Sequence, residues 1–440
     1  MKEKNRDDDE EREKMVAYVE GKIKWFKEKN PDLHIGDKQY SERTLEVVPG
    51  AEPSQDYVSR LEEEGFFSVD RVLEDNELIN RLARGAQRLA EYNMPPTFLI
   101  LYDEVWMLVK ALTKLVQSSA APENEFNGDV LVWVIDPNKD DAGFTPHRDR
   151  QPEDVELSFA YGKGFNFARV SPQYHTCWVA LTDATPDNSC LYVIPKHADP
   201  GYMTGDLDTE DPLQRALKKK DDYQSIRAVP LQAGGAAIFS HRIIHWGSRG
   251  RKGPDVRPRI SISFAYSKPS FEPNYLLRLQ SPSKTFPEVL DRLHLASAQV
   301  IAYHDRFQPT IPALRDSYKI FKYFKTRYRH QYRKRLPPED ATEAEGNARD
   351  GSSGEDLIEA MVEEMLESEY LIQDDFDKMA AEEAGGDPPD EGDASDRLEA
   401  TLEDLHDAIE KSTYEEDQEV QSSLISLRDA IRRSKHRRNN

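Results

Sequence analysis

The stretch from "DVLVWVIDP" (129–137) to "ISISFAYS" (260–267) constrains the fold most. Short β-branched and aromatic runs, "VLVWVI", "HTCWVALT", "CLYVIP", "GAAIFS" and "RISISFAY", are separated by Pro, Gly, Asp and Asn clusters. No helical pattern lies between them. Many short strands without intervening helices argue against a βαβ sheet and predict an antiparallel all-β unit.

Helical patterns flank this unit. "MVAYVEGKIKWFKEKNP" places Met15, Val16, Val19, Ile23, Trp25 and Phe26 at helical spacing before Pro31, behind a charged run of 14 residues expected to be solvated and frayed. "SQDYVSRLEEEGFFSVDRVLEDNELINRLARGAQRLAEY" predicts a helix, a short strand in "FFSVDRV" and a second helix, and "DEVWMLVKALTKLVQSS" predicts a third. Helix returns in "FPEVLDRLHLASAQVIAYHDRF" and "ALRDSYKIFKYFKTRYRHQYRKRL". The expected organisation is a charged N-terminus with an amphipathic helix over 1–56, a β-rich domain over 57–280, a helical extension packed on it over 281–336, and an acidic, partly disordered tail with short helices over 337–440.

The formal charge of −23 belongs to that tail, because residues 339–420 are rich in Asp and Glu and carry only Arg349, Lys378, Arg397 and Lys411 as cations. The body is nearly neutral. Only Cys177 and Cys190 are present, which excludes a disulfide framework or a cysteine-rich zinc site and suits a reducing compartment. No apolar run is long enough to span a membrane, and "MKEKNRDDDEEREK" has no apolar signal region. The expectation is an unsecreted, intracellular protein, cytoplasmic or elsewhere, with the peroxisome left open although "HRRNN" is no Ser-Lys-Leu type address.

The chemistry-bearing segment is "GFTPHRDRQPED" (143–154). An extended backbone sends residues i and i+2 to one face, and Pro146 steers Thr145 away from the helical region, so His147 and Asp149 aim at one point. An imidazole and a carboxylate on one side of a strand make two ligands of the 2-His-1-carboxylate site that holds non-haem Fe(II) with open positions. "GGAAIFSHRIIHWGSRG" offers the third as His245, with His241 as competitor. An arginine at the start of the next strand, Arg257 or Arg259 of "RPRISISFAYS", suits the distal carboxylate of a 2-oxo-acid cosubstrate.

These residues resemble the phytanoyl-CoA dioxygenase-like family of Fe(II)/2-oxoglutarate-dependent oxygenases. The resemblance spans about 57–267 through "LEEEGFFSVDRVL", "PHRD", "CWVALTDATPDNSCLYVIPKHAD", "HRIIHWGS" and "PRISISFAYS". It implies a mainly β core with flanking helices: a double-stranded β-helix (jelly-roll, cupin-like) barrel with helical N- and C-terminal extensions. It puts Fe(II) on His147, Asp149 and His245, and 2-oxoglutarate against Arg259 (or Arg257), Trp178 and Ser248, with no catalytic residue beyond the metal site. The family's glycine in Asn-Gly-Cys-Leu is here Ser189, and its glycine after proline is Lys196; these alter a turn and the rim of the site. The implied reaction is hydroxylation of a small organic substrate by O2, with an acyl or CoA-linked compound among the candidates, and release of succinate and CO2. Relatives that halogenate replace the carboxylate ligand with a small residue, and the intact Asp149 favours hydroxylation.

Other features have plainer readings. Arg148 and Arg150 suit salt bridges or solvent, with contact to a substrate carboxylate as the sharper option. His175 and His197 are not needed as ligands, and the cysteines read as small buried hydrophobes. "KYFKTRYRHQYRKRL" interleaves tyrosines with cations as nucleic-acid binders do, yet the acidic tail would compete with phosphate, so nucleic acid is disfavoured. The tail is expected to meet a basic partner or this basic helix. Lys218, Lys219 and Lys220 suit an anionic group such as CoA phosphates, or are mere surface. The alternative function is a non-catalytic jelly-roll scaffold acting through its helical and acidic extensions.

Overall fold

The computed structural model describes residues 2–42, 54–72, 75–149, 174–206, 211–267, 286–307 and 309–332. Contacts divide the chain into Met1–Leu366 and Glu367–Asn440, and every described residue lies in the first unit. The linker, the acidic tail, Arg150 and the loop "YGKGFNFARVSPQY" lie outside the described residues.

Among the described residues, eight strands form two antiparallel sheets. They are β1 (Phe66–Val69), β2 (Glu125–Ile135), β3 (Tyr174–Ala180), β4 (Leu191–Ile194), β5 (Arg227–Val229), β6 (Ala236–Ser240), β7 (Ile244–Gly247) and β8 (Arg259–Ser267). The larger sheet runs β1-β6-β3-β8-β2 and the smaller β5-β4-β7. All five runs singled out in the sequence become strands, and "FFSVDRV" supplies the edge strand β1. Strands β5 and β7 are additional, and both are too short to show a period-two pattern.

Alternation along the larger sheet sets the core apart from the site. Val130, Val132, Cys177, Val179, Ile260, Ile262, Phe264 and Tyr266 pack into one cluster with the helices Asn76–Glu91, Asp103–Ser119 and Val289–Ala302. The opposite face carries Trp178, Ala237 and Phe239, which pack against Leu191 and Val193 of the smaller sheet. Gly128, at φ +96°, sits in a bulge where the β2–β8 register shifts between Phe126 and Val130.

The N-terminal helix covers Lys2–Lys29, so the charged run expected to fray continues the helix. Lys, Glu and Arg are good helix formers, and the run needs no apolar face to extend a helix already docked through Val19 and Phe26. Asp316 of the helix Ile311–Tyr332 accepts hydrogen bonds from Tyr18 and Lys22, which ties the C-terminal helices to the N-terminal one. Leu293, Val300, Leu314 and Ile320 of these C-terminal helices are buried in the main core cluster. No helix among the described residues is long and apolar enough to cross a membrane.

Candidate metal and cosubstrate site

The segment before His147 reaches the smaller sheet as an extended arm. His147 and His245 form an isolated antiparallel bridge, with His147 N donating to His245 O at 3.1 Å and His245 N donating to His147 O at 3.0 Å. The arm lies close to β7 because Gly143 faces Gly247, where a Cβ on Gly143 would come within 2.4 Å of the Gly247 Cα. Backbone pairing therefore fixes two histidines that are far apart in sequence, with ring centroids 4.3 Å apart.

The tautomers follow from the second nitrogen of each ring. His147 Nδ1 lies 2.7 Å from Thr145 O, and His245 Nδ1 lies 3.2 Å from Ile243 O. A carbonyl only accepts, so each neutral ring carries its proton on Nδ1 and presents a lone pair on Nε2. Both Nε2 atoms face Asp149 Oδ1, at 3.6 Å from His147 and 3.5 Å from His245. Asp149 Oδ2 accepts from the Thr176 hydroxyl, which orients the carboxylate. The three side chains offer ligand atoms within 4.8 Å of one another, a donor set of two imidazole nitrogens and one carboxylate that can hold a metal ion.

Burial pushes the Asp149 carboxyl up, but the positive charge that the His245 and His147 rings carry when protonated, together with the Thr176 hydroxyl, outweighs it and holds the group well below the usual carboxylate range. Burial lowers His245 to about 4, which keeps its ring neutral at physiological pH. Both shifts favour the protonation states in which these groups ligate a cation.

A cavity of about 280 Å³ opens beside these residues. Its wall follows the strand register: Ile135 lies opposite Arg259, Leu131 opposite Ser263, and Ser263 in turn opposite Trp178. Arg259 is buried in this wall, its guanidinium carbon 5.4 Å from the centre of the Trp178 ring. It donates from Nε to Ser189 O at 3.0 Å and from Nη1 to Ser261 Oγ. No carboxylate among the described residues pairs with it, and burial lowers it to about 10. A buried cation without a counter-ion is costly, so this corner of the cavity suits an anion.

The other sequence candidates fall as follows. Arg257 is exposed and does not line the cavity, its carbonyl accepting from Asn188. Ser248 also lies outside the cavity wall, and its hydroxyl is buried without a hydrogen-bond partner among the described residues. Ser189, where the family has glycine, adopts φ +77°, the left-handed conformation glycine favours, and its carbonyl is the one that holds Arg259. Lys196 turns away to donate to Glu62 O. His241 is buried with Nδ1 3.1 Å from Tyr174 O, and His175 is buried against Asn124. Cys177 and Cys190 are free and buried. Lys218, Lys219 and Lys220 are exposed and away from the cavity wall.

Sequence reasoning missed Thr176 and Ser261, although parity with Trp178 and Arg259 marks both as sharing the site's face. It also missed the partners of Arg148. That guanidinium is wholly buried between Asp199 and Asp206, with Nη2 at 2.9 Å from Asp199 Oδ1 and 3.1 Å from Asp206 Oδ1. The same guanidinium also donates to Arg242 O, so the arm carrying the histidine and aspartate is clamped by its intervening residue.

Comparison with known proteins gives one family match and a set of similar solved structures. None of the curated proteins matches the chain. Among solved structures, the epimerase SnoN in complex with Fe3+, α-ketoglutarate and nogalamycin RO is 21% identical, over 48% of this chain and 82% of that one, with a TM-score of 0.36. The non-heme monooxygenase ThoJ is 16% identical over 58% and 99%, with a TM-score of 0.39, and EctD from S. alaskensis, solved with 2-oxoglutarate and 5-hydroxyectoine, is 14% identical over 58% and 94%, with a TM-score of 0.34. The family model described as phytanoyl-CoA dioxygenase matches residues 107–258, a span that contains His147, Asp149 and His245 and stops one residue short of Arg259.

Proposed function

We propose that the protein is an Fe(II)- and 2-oxoglutarate-dependent oxygenase that hydroxylates a small organic substrate. The observation that carries this reading is the pairing, in one cavity, of a convergent His147–Asp149–His245 donor set with the buried, carboxylate-free Arg259. His147, Asp149 and His245 would hold the metal, and Arg259 the far carboxylate of the oxo acid. When bound, Fe(II) and 2-oxoglutarate supply an oxidation by O2 coupled to release of succinate and CO2.

The chain's own groups prepare that chemistry. Carbonyls of Thr145 and Ile243 fix the Nε2 lone pairs, Thr176 orients Asp149, and Ser189 and Ser261 aim the Arg259 fork. Trp178, Leu191 and Phe239 give the cavity apolar walls that exclude water around the anion. An intact carboxylate at Asp149 favours hydroxylation over halogenation. In this reading the two sheets are the halves of a jelly-roll closed around the cavity. A scaffold would have no use for a buried cation left without its anion.

Anaerobic addition of Fe(II) and 2-oxoglutarate tests the reading. The intact full-length protein should develop the weak visible charge-transfer band of the bound pair, and His147→Ala should not. A band absent from the intact protein would remove the oxygenase reading.

A further inference from the structure

The cavity has a second cationic corner that the metal and cosubstrate do not use. Arg306, on the short helix His304–Phe307, lines the same cavity and is exposed at its mouth. Its guanidinium carbon lies over the rings of Phe144, at 5.4 Å, and Tyr303, at 5.6 Å. No carboxylate among the described residues forms an ion pair with it. Phe144 stands between this cation and the proposed metal site, its ring 5.6 Å from that of His147.

Another residue of the same cavity wall carries a donor without an acceptor among the described residues. Trp133 stacks on Phe307 at 5.0 Å and meets Phe144 edge-on at 4.6 Å, so the indole is locked in the wall. Its Nε1 is buried and has no acceptor among the described residues. An indole N–H can only donate, and a buried donor without an acceptor is expensive. Tyr303, whose ring underlies Arg306, is itself held by donating to Asp129 Oδ2 at 3.0 Å. One cation and one fixed donor around an aromatic mouth form a receptor for an anionic oxygen group attached to an apolar body.

We infer that Arg306 and Trp133 bind a carboxylate or phosphate of the substrate and so set which carbon faces the metal. The inference rests on the oxygenase reading, since it takes Arg259 as already assigned to the cosubstrate. It names the substrate class: a small organic anion whose charged end stays at the mouth, with its apolar part directed inward past Phe144.

The test uses the full-length protein with Fe(II) and excess 2-oxoglutarate under nitrogen, so that the Arg259 corner is filled. Hexanoate, hexyl phosphate and the neutral hexanamide are titrated in turn. The readouts are the Trp133 indole N–H resonance, assigned by its loss in Trp133→Phe, and the charge-transfer band. One of the two anions should bind about ten-fold or more tighter than the amide, Arg306→Gln should erase the preference, and Arg306→Lys should retain part of it. Which anion wins separates carboxylate from phosphate. Equal binding of anions and amide, a preference that survives Arg306→Gln, or anions that merely displace 2-oxoglutarate would each overturn the inference while leaving the oxygenase reading intact. A charge-transfer band missing from the intact protein would take both away.

Discussion

Arg148 and Arg259 are both buried arginines in the wall of one cavity, yet their surroundings are opposite. Arg148 has its donors taken up by Asp199, Asp206 and the Arg242 carbonyl. Arg259 is held by one carbonyl and one hydroxyl, with no carboxylate in reach among the described residues. The first arrangement is complete within the protein, and the second has no counter-charge among the described residues. Burial of a cation therefore says little by itself; what distinguishes framework from site is whether the chain supplies the counter-charge.

The largest effect expected from this contrast is on folding. Arg148→Ala would leave two buried carboxylates facing each other, and should lower unfolding stability by about 3–5 kcal/mol in denaturant titration. Adding Asp199→Asn and Asp206→Asn to Arg148→Met should recover part of the loss, because no uncompensated charge is then buried. If Arg148→Ala alone left stability unchanged, the framework half of the contrast would fail.

Buried histidines outside the proposed donor set give the next effect. Burial lowers His175 to about 4 and, with help from Arg242, His241 to about 3, whereas an unfolded histidine titrates near 6.5. The unfolded chain therefore binds more protons below about pH 6.5. Their contribution is fully present above that pH and is lost as the pH falls towards 4, at roughly 1.4 kcal/mol per pH unit for each ring. Replacing His175 with Gln should flatten that slope in a series of melts between pH 7 and 5.

A smaller change concerns Thr176, whose hydroxyl orients Asp149. Thr176→Val keeps the shape of β3 and removes the donor, so affinity for Fe(II), or for Co(II) as a spectroscopic substitute, should fall by about ten-fold with stability little altered. Retained affinity would mean that the strand pairing alone positions the carboxylate.

The sequence exposes the features that depend on local rules. Alternation puts His147 and Asp149 on one side and turns Arg148 away, and the same alternation groups Arg259 with Ser261 and Ser263. The five runs predict five strands because β-branched and aromatic residues are dense within them and Pro, Gly, Asp and Asn bound them. Pairing of distant groups leaves no such trace. Nothing in "HADPGYMTGD" announces that Asp199 and Asp206 both meet Arg148, and the stacking of Trp133 on Phe307 and of Arg306 over Phe144 arises only when the C-terminal helix docks. Strand β7 is four residues long and is recognised through its partners, β4 and His147, rather than through its own pattern.

The contrast between the two arginines is tested most directly by calorimetric titration of 2-oxoglutarate into the Fe(II)-loaded protein under nitrogen, comparing the intact chain with Arg259→Gln. Losing the partner of a buried carboxylate should weaken binding by about 100-fold or more, while Arg257→Gln, at an exposed position outside the cavity wall, should bind as the intact protein does. Undiminished binding by Arg259→Gln, or a loss confined to Arg257→Gln, would contradict the assignment of the unpaired buried cation to the cosubstrate.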